Sequence, residues 1–406
     1  MDSLIQVLAQ ALDMVEIAFI GVTTNHGKRI AVLSAVIAKQ LGWTEDQISD
    51  LVSCALLHDN ALTEFILLHH LHGREKDIPN FLEHCVIGQR NAEILPFHGS
   101  IAGYILYHHE RPDGQGPFRL REGEYPLGGD IISAADMMDA EGPFEGMDKG
   151  GLEALRRSVE EGIHGSYTEG VGQAILSVLD MDLIESLQNS RIGETVQRHI
   201  PVWNMDIEDP AIIRFAELTS KIIDYKSKTT GVHTQQIANR SWLMADHYGY
   251  GRSEKHQLYL AAALHDIGKL AIPPEVLEKP GKLTHDEFEI IKTHIIETRN
   301  ILSSVEDLGP LIEWAANHHE KLDGSGYHLK KRAEDLDFNS RLMACLDIYQ
   351  AASELRPYHP RRNHQEVMDI LQAMVKVGAI DGAIVKDIDQ VMAPWSGKDI
   401  EPPTLL

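Results

Sequence analysis

The chain has 406 residues, 43% hydrophobic and 24% charged, which fits two globular domains of ordinary size. With 61 acidic against 37 basic residues its formal net charge is -24, a surface that repels a polyanion and argues against a long nucleic acid as partner. The three cysteines, Cys54, Cys85 and Cys345, form no CxxC pair, so a reduced, cytoplasmic protein is expected.

The opening segment MDSLIQVLAQALDMVEIAFIGV is apolar but interrupted by Asp13 and Glu16, with no basic leader and no small-residue cleavage site. It is expected to form an amphipathic helix packed on the first domain. No stretch reaches the roughly 20 apolar residues of a membrane span, so no membrane partner is expected. Thr44 and Gln47 form a capping-box pattern ahead of Ile48, Leu51, Val52 and Ala55, which follow i, i+3, i+4, i+7 helical spacing. The polar cluster His69, His70, His72 predicts a solvated loop, and so does the Gly-rich DGQGPF. PVWNMDIEDP has the proline and acidic content of a linker, which puts the join between about residue 187 and about residue 209. Beyond it, Leu258, Ala261, Ala262 and His265 repeat the helical spacing, Thr284 and Glu287 repeat the capping box, and DGSGYH is a second loop. GKDIEPPTLL reads as an irregular tail. Strand signals are weak, so the predicted fold class is all-α, two tandem helical bundles over residues 1–200 and 201–406.

The 22 histidines are the most unusual feature, because many are paired or lie beside acids. They also repeat. His26, His58-Asp59, His84, His108-His109-Glu110, Asp113-Gly114, Gly116 and Asp136 recur as His233, His265-Asp266, His294, His318-His319-Glu320, Asp323-Gly324, Gly326 and Asp347, each about 210 residues on. The chain is a tandem duplication.

A charged aspartate on an apolar helix costs several kcal/mol unless it is paired, hydrogen-bonded or metal-bound. An isolated His-Asp pair is most simply a hydrogen-bonded helix end. Asp266 is not isolated, because His233, His265, His294, His318, His319 and Asp347 complete a set of seven imidazole and carboxylate ligands. Such ligands suit Mn, Fe, Co, Ni or Zn, and the lack of a thiolate argues against a structural zinc. Seven are too many for one ion and suit two, with Asp266 bridging and iron or manganese expected. Two ions about 3.5–4 Å apart imply in-line hydrolysis at phosphorus.

HDIGKLAIPPEVLEKPGKLT, the His-bearing helix after it, and HHEKLDGSGY resemble the signature of HD-GYP domains over about residues 220–375. The resemblance implies an HD-type helical bundle that hydrolyses cyclic dinucleotides, chiefly cyclic di-GMP, at a bimetal or trimetal centre. It implies the same seven ligands. Thr229 stands where some members carry a glutamate for a third ion, so two metals are implied. Asp266 and Lys269 are the implied catalytic pair, with the Lys269 ammonium neutralising a substrate phosphate. Gly324 and Gly326 let the loop approach a ligand closely. Tyr327 and Arg356 resemble family residues that contact a base or a phosphate, which makes Lys269, Gly326, Tyr327 and Arg356 the implied substrate-binding set.

The chain departs from the family at three rim positions. His328 replaces the proline of the GYP motif, Gln350 the second aspartate of ADxxDA, and His359 a basic residue. The metal core is untouched, but the choice between cyclic di-GMP and 3′3′-cyclic GMP-AMP is left open. The N-terminal half keeps every ligand type (His26, His58, Asp59, His84, His108, His109, Asp136) as a second possible metal site. It loses the lysine to Leu62 and the tyrosine loop to Gly116-Pro117-Phe118. Its expected role is regulatory or scaffolding. The expected product is a linear dinucleotide. The competing readings are a non-catalytic module sensing cyclic dinucleotide or metal, and a simple HD nucleotide phosphohydrolase, which does not require the DGSGY loop. A homodimer is a further expectation.

Overall fold

The computed structural model describes residues 2–19, 21–69, 82–141, 144–201, 209–226, 233–279, 281–305, 308–354 and 362–403. The chain divides into two compact units, Met1–Asp206 and Ile207–Leu406. Among the described residues both are built from helices and loops, with isolated bridges such as Asp113–Arg121 and Asp323–Arg332 in place of strands. Most of the expected linker lies outside the described residues. Ahead of it, Ile192–His199 forms a short helix of the first unit, with Ile192 and Val196 buried.

In the first unit the leading helix is Asp2–Phe19, followed by His26–Gln40, Glu45–Leu56, Leu62–Leu68, Glu83–Ala92 and Leu127–Glu141. The leading helix buries Leu4, Ile5, Leu8, Leu12 and Val15, as its amphipathic pattern requires. Asp13 and Glu16, which seemed to interrupt that pattern, are buried as well. Thr44 caps the Glu45–Leu56 helix with the reciprocal Gln47 bond, as predicted. His69 is not a free loop residue: it is half-buried and bonds Glu83 at 2.7 Å. His70 and His72 lie outside the described residues.

In the second unit Asp209–Lys226 leads, followed by His233–His247, Arg252–Leu264, His285–Ser303, Leu311–Ala316 and Phe338–Ser353. Thr284 and Glu287 form the predicted capping box. The end of the chain is irregular yet anchored, since buried Ile400 accepts bonds from Gln236 and Asn239 and donates to Gln236. The His-Asp pair sits differently from the prediction. The Arg252–Leu264 helix stops before it, His265 is the C-cap, and Asp266 opens a short 3-10 turn over Ile267–Ala271.

That turn is locked against the His285–Ser303 helix. Thr298 Oγ1 accepts from Gly268 N at 3.1 Å and donates to His265 O at 3.0 Å. A Cβ on Gly268 would lie 2.0 Å from His294 O and 2.5 Å from Thr298 N, so only glycine allows the approach. Gly268→Ala is therefore expected to cost at least about 1–3 kcal/mol, read as a lower denaturation midpoint with loss of bound metal. An unchanged midpoint would show that the turn is not locked here.

Candidate metal centre

Three imidazoles of the second unit are oriented by the backbone turn that precedes them. His265, His294 and His318 each donate Nδ1–H to the carbonyl three residues back, Ala262 at 2.7 Å, Ile291 at 2.6 Å and Ala315 at 2.6 Å. A carbonyl can only accept, so each Nε2 is a bare lone pair. All three point toward Asp266. Its Oδ2 lies 3.2 Å from His265 Nε2 and 3.9 Å from His233 Nε2, and its Oδ1 lies 3.5 Å from His294 Nε2 and 3.8 Å from His318 Nε2. Asp347 closes the ring, with Oδ1 3.7 Å from His233 Nε2 and Oδ2 3.5 Å from His319 Nδ1. All seven residues singled out in the sequence of this half thus converge on one small volume.

The arrangement fits divalent cations. The Nε2 atoms of His265, His294 and His318 and Asp266 Oδ1 are buried and have no hydrogen-bond partner. Each such atom costs about 1–3 kcal/mol if left so. Ligand atoms sharing an ion at about 2.0–2.2 Å lie about 3–3.5 Å from one another, close to the separations seen. His233, His265 and Asp347 form one candidate group and His294, His318 and His319 another, with Asp266 between them.

The protonation states suit the same use. Burial pushes His294 down to about 4, helped by Lys269 and His319 against Asp266. Burial also lowers His318 and His319. For Asp266 burial acts the other way, but Lys269 and His265 hold its carboxyl well below the usual range. Asp347 is likewise held low against burial, chiefly by His233. His233 differs: despite burial, Asp347 and Glu354 raise it to about 10, so it keeps a proton that a bound cation would have to displace.

Lys269 is half-buried, its Nζ 2.5 Å from Asp266 Oδ2. Tyr327 is half-buried with its ring 4.7 Å from that of His319, at the edge of the cluster. Gly326 is fixed by packing, because a Cβ there would meet Glu320 Cα at 2.6 Å. The loop wraps the buried Glu320 carboxylate, which accepts from Leu329 N and Lys331 N. His328 has φ 93, which a proline ring forbids, so this loop conformation excludes the GYP proline. Arg356, Thr229 and His359 lie outside the described residues.

Two supporting residues escaped the sequence reading. Glu354 accepts from His233 Nδ1 at 2.5 Å and from Gln350 Nε2 at 2.6 Å. It stands two helical turns beyond Asp347, a spacing that could have flagged it. In the first unit Asp139 does this job for His26, at 2.7 Å, and also binds Arg29. Asp139 aligns with Gln350, so in the second unit the supporting acid has moved one turn along. Thr298 had no motif to reveal it.

The first unit repeats the ring. His58 and His108 donate Nδ1–H to Ala55 O at 2.9 Å and Ile105 O at 2.5 Å. Asp59 lies 3.6 Å from His58 Nε2, 3.2 Å from His84 Nε2 and 3.8 Å from His108 Nε2. Asp136 lies 3.5 Å from His26 Nε2 and 3.9 Å from His109 Nδ1. Leu62, where the second unit has Lys269, is fully buried.

A helical frame that gathers imidazoles around one buried His-Asp carboxylate defines a class of metal-binding hydrolase folds, and residues 217–384 match the family model described as HD domain. Those residues are thus similar to HD domains. More particularly, the whole chain is 28% identical over 396 residues to the 3′3′-cGAMP-specific phosphodiesterase 1 of Vibrio cholerae serotype O1, covering 93% of this chain and 88% of that one. It is 28% identical over 292 residues to the 3′3′-cGAMP-specific phosphodiesterase 3 of the same organism, covering 71% of this chain and 62% of the relative. The cyclic di-GMP phosphodiesterase response regulator RpfG of Xanthomonas campestris pv. campestris is 36% identical over 143 residues, 34% of this chain and 37% of that one. The crystal structure of the Vibrio cholerae cyclic GMP-AMP-specific phosphodiesterase V-cGAP3 shares the fold, with a TM-score of 0.63 at 21% identity over 97% of each chain.

Glu354→Gln is expected to lower metal affinity about 10–100-fold with the helical content unchanged, measured by competition with a chelator. Parent-like affinity would remove Glu354 from the centre.

Proposed function

We propose that the second unit is a metal-dependent phosphodiesterase that opens a cyclic dinucleotide to a linear one. The observation that carries this is the ring of bare Nε2 atoms around the buried Asp266 carboxylate beside an ammonium. His233, His265, Asp266, His294, His318, His319 and Asp347 would hold two divalent ions, iron or manganese. Such ions supply Lewis acidity toward a phosphoryl oxygen and make water a better nucleophile at neutral pH. Asp266 is shared between the two ligand groups and positions them. Lys269 keeps a positive charge at the edge of the ring, where it can exchange its contact with Asp266 for a substrate phosphate. Tyr327 offers a ring face to a base. Gly326 keeps the loop closed on Glu320 beneath that ring.

For the substrate we favour 3′3′-cyclic GMP-AMP over cyclic di-GMP. The relatives that align with most of the chain bear the former name, whereas RpfG aligns with about a third of it. The altered rim, His328 above all, supports a preference that differs from cyclic di-GMP. The buried, free thiols of Cys54, Cys85 and Cys345 fit a reducing compartment, and we assign the enzyme to the cytoplasm on that basis. Among the described residues no helix is long and apolar enough to cross a membrane. We assign the first unit a regulatory or scaffolding role. Substituting His58 and Asp59 with no effect on turnover, metal content or stability would end that assignment.

Protein loaded with manganese or iron and given each cyclic dinucleotide separately is expected to release a linear product, and faster from cyclic GMP-AMP. Asp266→Ala should remove product formation altogether, and full activity in that variant would refute the centre. Lys269→Ala should lower kcat/KM about 100-fold. Tyr327→Ala should act mainly on KM, by about 1–3 kcal/mol of lost stacking. An effect of Tyr327→Ala on kcat alone would argue against base stacking.

A further inference from the structure

We infer that the first unit is a metal site of its own, chemically distinct from the second, with the Cys85 thiolate among its ligands and zinc as its ion. Two residues without counterparts in the other ring carry the inference.

The first is Cys85, which follows His84 on the Glu83–Ala92 helix and is fully buried. Its Sγ lies 3.5 Å from His84 Nε2. The ligand atoms of His84, Cys85, His108 and His109 all lie within 4.8 Å of one another. Three imidazoles and one thiolate are a tetrahedral zinc set. The aligned residue in the second unit is Ile295, fully buried, so its ring has no sulfur at that place. The packing of His84 and His108 adds to the case. Their Nε2 atoms face each other at 3.4 Å, and His108 already donates Nδ1–H to Ile105 O, so its Nε2 offers only a lone pair. A cation between the rings would take both lone pairs in place of the N–H···N contact made here.

The second is Glu16, brought in by the leading helix. It is 3% exposed, and its Oε2 has no hydrogen-bond partner and lies 4.0 Å from His26 Nε2. Asp59 Oδ1 is also buried, facing His84 Nε2 at 3.2 Å. Glu16, Asp59, Asp136 and Asp139 thus gather around one spot, with Arg29 committed to Asp139 and Leu62 standing where the other ring has a lysine. Divalent charge balances such a set. A second ion could be held beside the zinc by His26, His58, Asp136 and Glu16, with Asp59 as a further ligand. A cavity of about 350 Å³ lined by Thr23, His26, Asp59, His109 and Asp136 gives ions a way in.

The test uses the full chain, stripped of metal and titrated with cobalt(II), and reads the thiolate-to-cobalt charge-transfer absorption in the near ultraviolet. The band is expected in the parent, in Asp266→Ala, in Cys54→Ser and in Cys345→Ser, and is expected to be lost in Cys85→Ser. Zinc should bleach it at a concentration at least tenfold below that needed with manganese. Glu16→Gln should leave the band and reduce total bound metal in native mass spectra. A folded parent with no band, a band that survives Cys85→Ser, or manganese displacing cobalt as readily as zinc would overturn the inference. None of these readouts depends on turnover, so the outcome is separate from that of the phosphodiesterase proposal.

Discussion

Everything in the second unit is arranged around one ionised carboxylate kept out of water. Asp266 is 2% exposed and has imidazole nitrogen within 4 Å of both its oxygens. Such a charge is tolerable only with compensation close by. Lys269 supplies part of it from the same turn, and bound cations would supply the rest. The close crossing at Gly268, the Thr298 bonds and the left-handed loop after His319 all serve to hold ligands around that oxygen pair.

The duplication shows which parts of this design tolerate change. Both units keep the central aspartate, the histidines oriented by the carbonyl three residues back, and a glutamate, Glu110 or Glu320, wrapped by the loop that follows. Divergence lies at the rim and in the supporting shell. A lysine in one ring is a buried leucine in the other, an isoleucine is a cysteine, and the acid that steadies the first histidine lies one turn earlier. The units therefore share a frame and differ in the side chains that line it.

Much of this was legible in the sequence. Apolar helical periodicity, two capping boxes and the glycine-rich loops gave the helical class, and recurrence of the same landmarks exposed the duplication. The ring residues were legible because ligand chemistry restricts residue type. What escaped were residues whose meaning depends on contacts distant in sequence. Glu354 has the right helical phase but no motif. Thr298 is an ordinary helix residue until Gly268 packs on it. Asp13 and Glu16 looked like breaks in an apolar face, because a charge aimed at a cluster elsewhere in the chain cannot be told from a surface charge by local pattern. The His-Asp pair was put on a helix because the periodicity runs into it, whereas the helix ends at the first polar ligand.

The bonds from His265, His294 and His318 to the carbonyls three residues back have a wider meaning. A side chain that takes its aim from the helical turn before it keeps that aim only while the turn stays wound. Unwinding one of these turns would scatter the ring, and a filled ring would clamp the three turns together. Cation supply would thereby bear on the stiffness of these turns, with no hinge or lid required, and metal shortage would leave a looser protein rather than merely an idle one.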